Sequence, residues 1–555
     1  MKAPRQHQEK ATFAARLLRR SVSAPLIVLC LLAAAQTLPS LNAKDVWYPD
    51  ELRHAAVLRG LLEGGHWLVL HLGDALYPDK PPLYFWLLAG LSRILGSPDP
   101  LLFNLAAALS GGVFLWSMVA LGRALGLSRR AVLLAGLVLL SNWFFIDRMH
   151  QPRMDLLFSA FILLAHLGLF RAASGDEGLR RGWAAFGAGA AMLAVLTKGP
   201  VGLLLPVLAL VAFLALRGRL RALWSAGAAL ALAVAAGIGG LYLGGVFIQG
   251  GGEAVRALLI DQTVARAGGA IGNRQPFWWY VPQILLAFLP WSLALLALPL
   301  RPLLAARAAP LPDGHLWLWT ALISGFCALS LIGYKVVHLI LPIYGLLALA
   351  IALALLRMAA ARRRVLFSVI AAMLALAAVA MPLAPSLTAW PEAVRGAWIM
   401  AAALAGAALV AAWMRRRGPL AFAAALALAM TVVSAPFYLV TIRALNTVMA
   451  PRAVGAVLAR HADAGYRLIE YDTDYLGHFH YHSGRWLEGM TSPEAVLTAL
   501  EQSPCGVLIL QHRLLAGLGE SADRFEIVMT QQLDTRRYVL ARWGEADCPA
   551  VSLAP

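Results

Sequence analysis

From about Ala24 to Ile442 the chain is a succession of apolar runs, many of them long enough to cross a bilayer, separated by short arginine-bearing loops. A hydrocarbon layer roughly 30 Å thick takes about 20 apolar residues of helix, and inside it every backbone polar group must be paired within the segment. Helical spans follow. A mean hydropathy of +0.70, with only 14% charged residues in 555, excludes a soluble enzyme and identifies a polytopic α-helical membrane protein. The formal net charge of +18 would point to nucleic acid in a soluble chain. Here the arginines cluster between apolar runs, as the positive-inside bias requires, so the bilayer is the partner and no nucleic acid is expected.

The charge rule also sets the topology. The basic tail carrying Lys2, Arg5, Lys10, Arg16, Arg19 and Arg20 precedes the run Ala24–Ala35, which reads as an uncleaved first span with a cytoplasmic amino terminus. The short run Pro82–Gly96, opened by Pro81-Pro82, reads as a helix lying at the outer interface, which keeps Arg123, Arg129 and Arg130 inside. Spans then follow at 101–122, 131–147, 155–170, 182–197, 200–216, 222–247, 281–299, 316–333, 336–356, 365–382, 396–413 and 420–441, about thirteen in all, with the carboxyl terminus outside. Two domains result: residues 1–445 form the membrane domain, with 43–100 as its first outer loop, and 446–555 form a soluble α/β domain on the outer, periplasmic face. In that domain Tyr466–Tyr471, Gly506–Leu510 and Arg537–Trp543 have strand character, while Pro451–Ala462 and Pro493–Gln502 have helical character. Cys30 and Cys327 fall in spans. Cys505 and Cys548 both lie in the outer domain, where an oxidising compartment permits them to pair.

One polar stretch stands out against the apolar background. Trp47–Trp86 sets Asp50, Glu51, Arg53, Arg59, Asp79 and Lys80 between greasy flanks, and charge at the membrane boundary marks a functional site. The same topology sends Met149–Asp155, Thr197–Pro200, the loop from Phe247 to Tyr280, and Tyr334-Lys335 to the same face. Acids and bases converging from separate loops predict a polar cavity. Cations there would hold phosphate oxygens and neutralise a departing phosphate, while a carboxylate orients or deprotonates an acceptor. A substrate with an anionic head on a lipid tail fits. No nucleotide loop, His-Glu zinc motif or nucleophile elbow is present.

Plainer structural roles stand beside these. Asp50 and Glu51 suit the first turn of a helix over Leu52–Leu62, and Asp155 suits the start of the span after it. Arg53 and Lys80 could pair with the acids or with lipid heads, Lys198 could snorkel at a span end, and Phe277–Tyr280 suits an interfacial aromatic belt. His478, His480 and His482 alternate, and on a strand would face one way, as metal ligands do.

The run WYPDELRHA, followed by DKPPLYFW, MDLLF, LTKGP, QPFWWYVP and LPW in that order, closely resembles the polyprenyl-phosphate-sugar-dependent glycosyltransferases of the GT-C fold. Among these it is most similar to the branch that transfers 4-amino-4-deoxy-L-arabinose (aminoarabinose) to lipid A. The resemblance implies an inverting transferase that takes a sugar from an undecaprenyl-phosphate donor, in the inner membrane of a Gram-negative bacterium, with its site facing the periplasm. It matches Asp50 and Glu51 to the acidic pair of the first outer loop, and Arg53 and Arg59 to the arginines after it. Lys80 matches the Lys-Pro lysine, Asp155 the acid of the second outer loop, Arg266 the arginine before the aromatic motif, and Lys335 a lysine ending a late span. On that match Asp50, Glu51 and Asp155 are the candidate catalytic acids, and Arg53, Arg59, Lys80, Arg266 and Lys335 the candidate phosphate ligands. No obligatory cofactor is implied, and a divalent metal beside Asp79 stays open. His54, Gln275 and Leu339 depart from the tyrosine, histidine and tyrosine usual in the aminoarabinose branch, which bears on substrate rather than on reaction class. Two other readings remain: a GT-C transferase acting on a different glycan, lipid or protein hydroxyl, and a transporter of lipid-linked sugars. The second is disfavoured because no inverted repeat is seen and the acids lie in loops rather than in broken helices.

Overall fold

The computed structural model describes residues 24–73, 75–96, 99–174, 178–264, 274–297, 311–384, 390–471, 477–544 and 548–551. Among them, eight helices are long and apolar enough to cross a membrane. The core of the bundle is built from α1 (Ala24–Thr37), α4 (Pro100–Ala124), α5 (Arg129–Leu140), α6 (Asp155–Ala173), α7 (Arg181–Lys198) and α8 (Val201–Leu216), joined by α10 (Asp313–Leu331) and α11 (Leu341–Arg357). α6 is apolar on every side, and 89% of its most hydrophobic stretch is buried, as a helix in the middle of a bundle must be. The outer helices α9 (Ala226–Arg256), α12 (Ala360–Ala380), α13 (Val394–Met414) and α14 (Pro419–Pro436) leave Leu232, Leu241, Val379, Leu409 and Val432 exposed. Such surfaces suit contact with acyl chains.

Several expected spans take a different form. The run 131–147 breaks at Ser141, where α5 ends and a separate helix, Trp143–Arg148, begins. Asn142 caps that helix, its side-chain oxygen accepting from Phe145 N at 2.9 Å. The run 281–299 is likewise no continuous span: helix Tyr280–Ala287 gives way at Pro290 to a 3-10 stretch, Trp291–Ala297, since proline removes a helix donor and crowds the preceding turn. The run 82–96 forms α3 (Leu83–Leu95), 13 residues long. At 1.5 Å per residue that is about 20 Å, short of a bilayer core.

The carboxyl-terminal domain holds a five-stranded sheet. Its strands are β1 (Arg467–Tyr471), β2 (Glu488–Met490), β3 (Cys505–Gln511), β4 (Glu526–Leu533) and β5 (Arg536–Gly544), in the order β2-β1-β3-β5-β4. β1 is parallel to β2 and β3, and the β3–β5–β4 side is antiparallel. Helices α15 (Arg452–Asp463) and α16 (Pro493–Gln502) pack their apolar residues on it. The helical run that includes α14 continues to Met449, and the first helix packed on the sheet begins at Arg452. Cys505 and Cys548 are disulfide-bonded, with Cα atoms 5.8 Å apart, while Cys30 and Cys327 are free.

Non-reducing peptide mapping is expected to recover Cys505 linked to Cys548. Replacing both with alanine removes a cross-link over a separation of 43 residues, worth about 2–4 kcal/mol to the sheet domain. Hydrogen exchange should show that loss locally, and unchanged protection in the double variant would contradict it.

Candidate functional site

The site is assembled from segments that hold one another by charge. The segment 43–50 runs into α2 (Asp50–Gly64), and the two acids at the head of this helix take different partners. Glu51 forms an ion pair with buried Lys44 and accepts from Trp47 N at 3.0 Å. Asp50 accepts from Arg53 one turn on, at 2.5 Å, and on its other oxygen from Arg153. Arg153 also donates from Nε to Asp155 Oδ2 at 3.1 Å and from a terminal nitrogen to His338 Nε2 at 3.2 Å. Asp155, at the first position of α6 and only 3% exposed, is paired in addition with Lys198. Gly199, with φ of 111°, ends α7 at that lysine. This left-handed conformation strains a side chain but not glycine, which is how the Leu-Thr-Lys-Gly-Pro sequence delivers its cation. Charges thus alternate along Arg53, Asp50, Arg153, Asp155 and Lys198.

Beside this row lies a cavity of about 190 Å³, bordered by Asp50, Glu51, Asp147, Arg153, Trp47 and Tyr438. Asp147 accepts from Tyr438 at 3.2 Å and from Gln151 at 2.8 Å, and the His150 ring is stacked on Tyr438 at 3.6 Å. Burial would raise the Asp50 carboxyl, but Arg153 and then Arg53 hold it well below the usual carboxylate range. Burial lowers Lys44 from its ordinary value against the pull of Glu51. It also lowers His54 to about 3, so that imidazole is neutral.

Lys80 is placed between two environments. It donates to Asp79 Oδ2 at 3.0 Å, and Tyr77 donates to the same oxygen at 3.3 Å. Lys80 also helps line a narrow, mostly apolar cleft of about 20 Å³ with Val69, Leu76, Tyr242, Val246 and Leu258. Its charge reaches His54, the residue between Arg53 and the rest of α2.

Other residues singled out from the sequence are placed elsewhere. Arg59 pairs with Glu63 at 2.7 Å and donates to the carbonyls of His480 and Gly484 at 3.0 and 2.6 Å. It straps α2 to the sheet domain. Lys335 is buried and donates to the carbonyls of Gln275 and Ile332 at 3.0 and 2.5 Å. Arg266 lies outside the described residues. The three histidines do not form a strand: His480–Ser483 is a short helical turn. Its His480 accepts from Leu487 N at 3.0 Å, while the His478 ring packs on Tyr48 at 4.6 Å. No group of three His, Cys, Asp or Glu side chains arranged for a metal occurs among the described residues. Phe277 and Trp278 are exposed, in keeping with a belt, while Tyr280 is buried.

Sequence reasoning missed Lys44, Arg153 and His338, and left Lys198 between a site cation and a span anchor. It also missed the clasp at Asn446, whose side-chain oxygen accepts from Trp47 Nε1 at 2.7 Å and Asp45 N at 3.1 Å.

The bundle with its appended sheet domain is found in solved structures. ArnT from Cupriavidus metallidurans bound to undecaprenyl phosphate superposes with a TM-score of 0.74 and 21% identity, covering 95% of this chain and 98% of that one. This chain has the ArnT fold. The Archaeoglobus fulgidus oligosaccharyltransferase in its apo form shares the fold more distantly, with a TM-score of 0.53, 11% identity, and coverage of 89% of this chain and 70% of that one. The ArnT likeness extends to sequence. An undecaprenyl phosphate-alpha-4-amino-4-deoxy-L-arabinose arabinosyl transferase from Pseudomonas fluorescens is 28% identical over 52% of this chain, and one from Pectobacterium carotovorum is 29% identical over 59%. The chain spans 51% and 58% of those relatives' lengths. Within the ArnT fold, residues 79–238 match a family described as dolichyl-phosphate-mannose-protein mannosyltransferase.

Lys44→Met would leave Glu51 buried without its cation and is expected to cost about 3–5 kcal/mol of stability. The double variant Lys44→Met/Glu51→Gln should recover most of that loss. Thermal unfolding in detergent reads both, and equal loss in the two would contradict a buried ion pair.

Proposed function

We propose that the chain is an inverting glycosyltransferase of the inner membrane that moves aminoarabinose from an undecaprenyl-phosphate donor to a phosphate of lipid A on the periplasmic face. The observation that carries this reading is the cavity of about 190 Å³ bordered by Asp50 and Arg153, set in a row of ion pairs, in a chain with the ArnT fold. A sugar suits the polar cavity, and a phosphate suits a cation at its border. The relatives' names describe the same donor.

In the reaction the bond between the anomeric carbon and the donor phosphate oxygen breaks, and its electron pair leaves with undecaprenyl phosphate. An acceptor phosphate oxygen forms the new bond from the opposite face, which inverts the anomeric centre. Lipid A phosphate is already ionised, so no proton need be removed. Asp50 then orients the sugar and stabilises positive charge developing on its ring, while Lys80 and Arg53 stabilise the departing phosphate. Arg59 and Lys335, tied to backbone carbonyls, serve the scaffold around this centre. Asp79 orients Lys80 through its ion pair.

Transfer of radiolabelled aminoarabinose from its undecaprenyl-phosphate donor to lipid A in detergent tests this reading. Asp50→Asn should lower the rate at least about 10²-fold, and Lys80→Ala should raise the donor KM about tenfold or more. If folded wild-type protein binds the donor yet transfers nothing to lipid A, the acceptor is wrong. Loss of both binding and transfer would overturn the reaction class.

A further inference from the structure

Arg153 belongs to the loop before α6, and its guanidinium reaches three separate elements. One terminal nitrogen pairs with Asp50 on α2, Nε donates to Asp155 at the head of α6 at 3.1 Å, and the other terminal nitrogen donates to His338 Nε2 at 3.2 Å, just before α11. A guanidinium is planar and keeps its proton, so groups bound to its different edges are fixed relative to one another. Two carboxylates drawn together without a cation between them repel, and one of them takes up a proton. A shared cation removes that tendency.

We propose that Arg153 is a positioning residue that locks Asp50 and Asp155 into one carboxylate–guanidinium–carboxylate unit and so presents Asp50 to the cavity ionised and in a single orientation. This rests on the transferase reading above. Lys198 closes the far side of the unit on Asp155, which leaves Asp50 as the carboxylate of the unit that borders the cavity. Other charged and titratable groups facing Asp50 are Arg53 and His54 on its own helix, Tyr77 from the segment beside it, His478 from the sheet domain and, across the unit, Lys198, while Lys44, Glu51, Asp147 and His150 border the same cavity. His54 and His478 are neutral, both pulled down to about 3 by burial, so when Arg153 is removed Arg53 stays in direct contact with Asp50 and Lys198 acts on it only from its ion pair with Asp155. Burial then weighs more heavily on the carboxyl. The sign follows: the Asp50 carboxyl moves upward, and activity that needs its ionised form is lost at a higher pH than in wild type.

The experiment compares full-length wild type, Arg153→Ala and Arg153→Lys in nanodiscs. Transfer kinetics are read across pH, and the Asp50 carboxyl is read by infrared titration with ¹³C-labelled aspartate, assigned by difference from Asp50→Asn. Arg153→Ala should lower kcat about 10²-fold, the scale of a misplaced reacting group, with donor KM changed less than about threefold. Its acid limb should move up by at least about one pH unit. Arg153→Lys keeps a charge without the three-edged geometry, so its acid limb should stay near wild type while kcat falls about tenfold. If Arg153→Ala does not fold, the kcat and pH readouts of Arg153→Lys decide alone. Wild-type kcat in either folded variant overturns the proposal, as does a lower kcat in Arg153→Ala with the acid limb and the Asp50 titration unmoved. If wild type transfers nothing, the function falls, and the infrared titration still tests Arg153: an unshifted Asp50 carboxyl in Arg153→Ala would refute its role.

Discussion

Placing ions where a membrane bundle meets its connecting loops is costly, at several kcal/mol for each ion taken out of water, unless opposite charges and hydrogen bonds are in place on every side. The structure meets this cost with the row from Arg53 through Asp50, Arg153 and Asp155 to Lys198. The row fixes the entry of α2, the head of α6 and the end of α7 against one another, and two of its members, Asp50 and Arg153, border the cavity. Asp155 is the most demanding member, since it is almost fully buried and leads into a helix with an apolar surroundings on all sides. Without its two cations that carboxylate could not stay charged there.

The sheet domain does more than cover this centre. Tyr48 N donates to Met449 O at 3.0 Å, Asn446 holds Trp47 and Asp45, and Arg452 pairs with Asp45. His478 and Tyr538 press on the Tyr48 ring from the other side, and Arg59 ties α2 to the turn carrying His480. The segment 43–50 is therefore gripped between the two domains, which limits the freedom of Asp50 before a substrate binds. For group transfer that rigidity matters, because a preorganised carboxylate spends little energy reorienting as charge develops.

Much of this was legible in the chain, and the residues show why. Asp50, Arg53 and Lys80 stood out because unlike charges beside apolar runs have few cheap explanations. The strands around Tyr471, Leu510 and Leu540 announced themselves by alternating residue patterns once the composition changed after the last apolar run. Arg153 did not stand out, since a lone arginine before a span is the ordinary signature of an interfacial loop. Its importance lies in partners on α2 and before α11, distant in sequence. The contacts of Arg59 and Lys335 with backbone carbonyls were invisible for the same reason, since carbonyl partners leave no mark in the sequence. The alternation of His478, His480 and His482 imitated a strand because period two cannot distinguish a ladder from a short turn packed by its rings. The runs 131–147 and 281–299 read as single spans because apolar content persists across Ser141 and Pro290, where the helices stop.

The central claim is that the charged row at Asp50 and the cleft at Lys80 form one site for a lipid-linked phosphate. A cryo-electron microscopy structure of the full chain in nanodiscs with undecaprenyl phosphate tests it most directly. The account predicts the phosphate within hydrogen-bond reach of Lys80 or Arg53, the polyprenyl chain along Val69, Tyr242 and Leu258, and the Asp50–Arg153–Asp155 unit intact beside it. A phosphate bound out of reach of both cations, or an Asp50 released from Arg153 on binding, would contradict it.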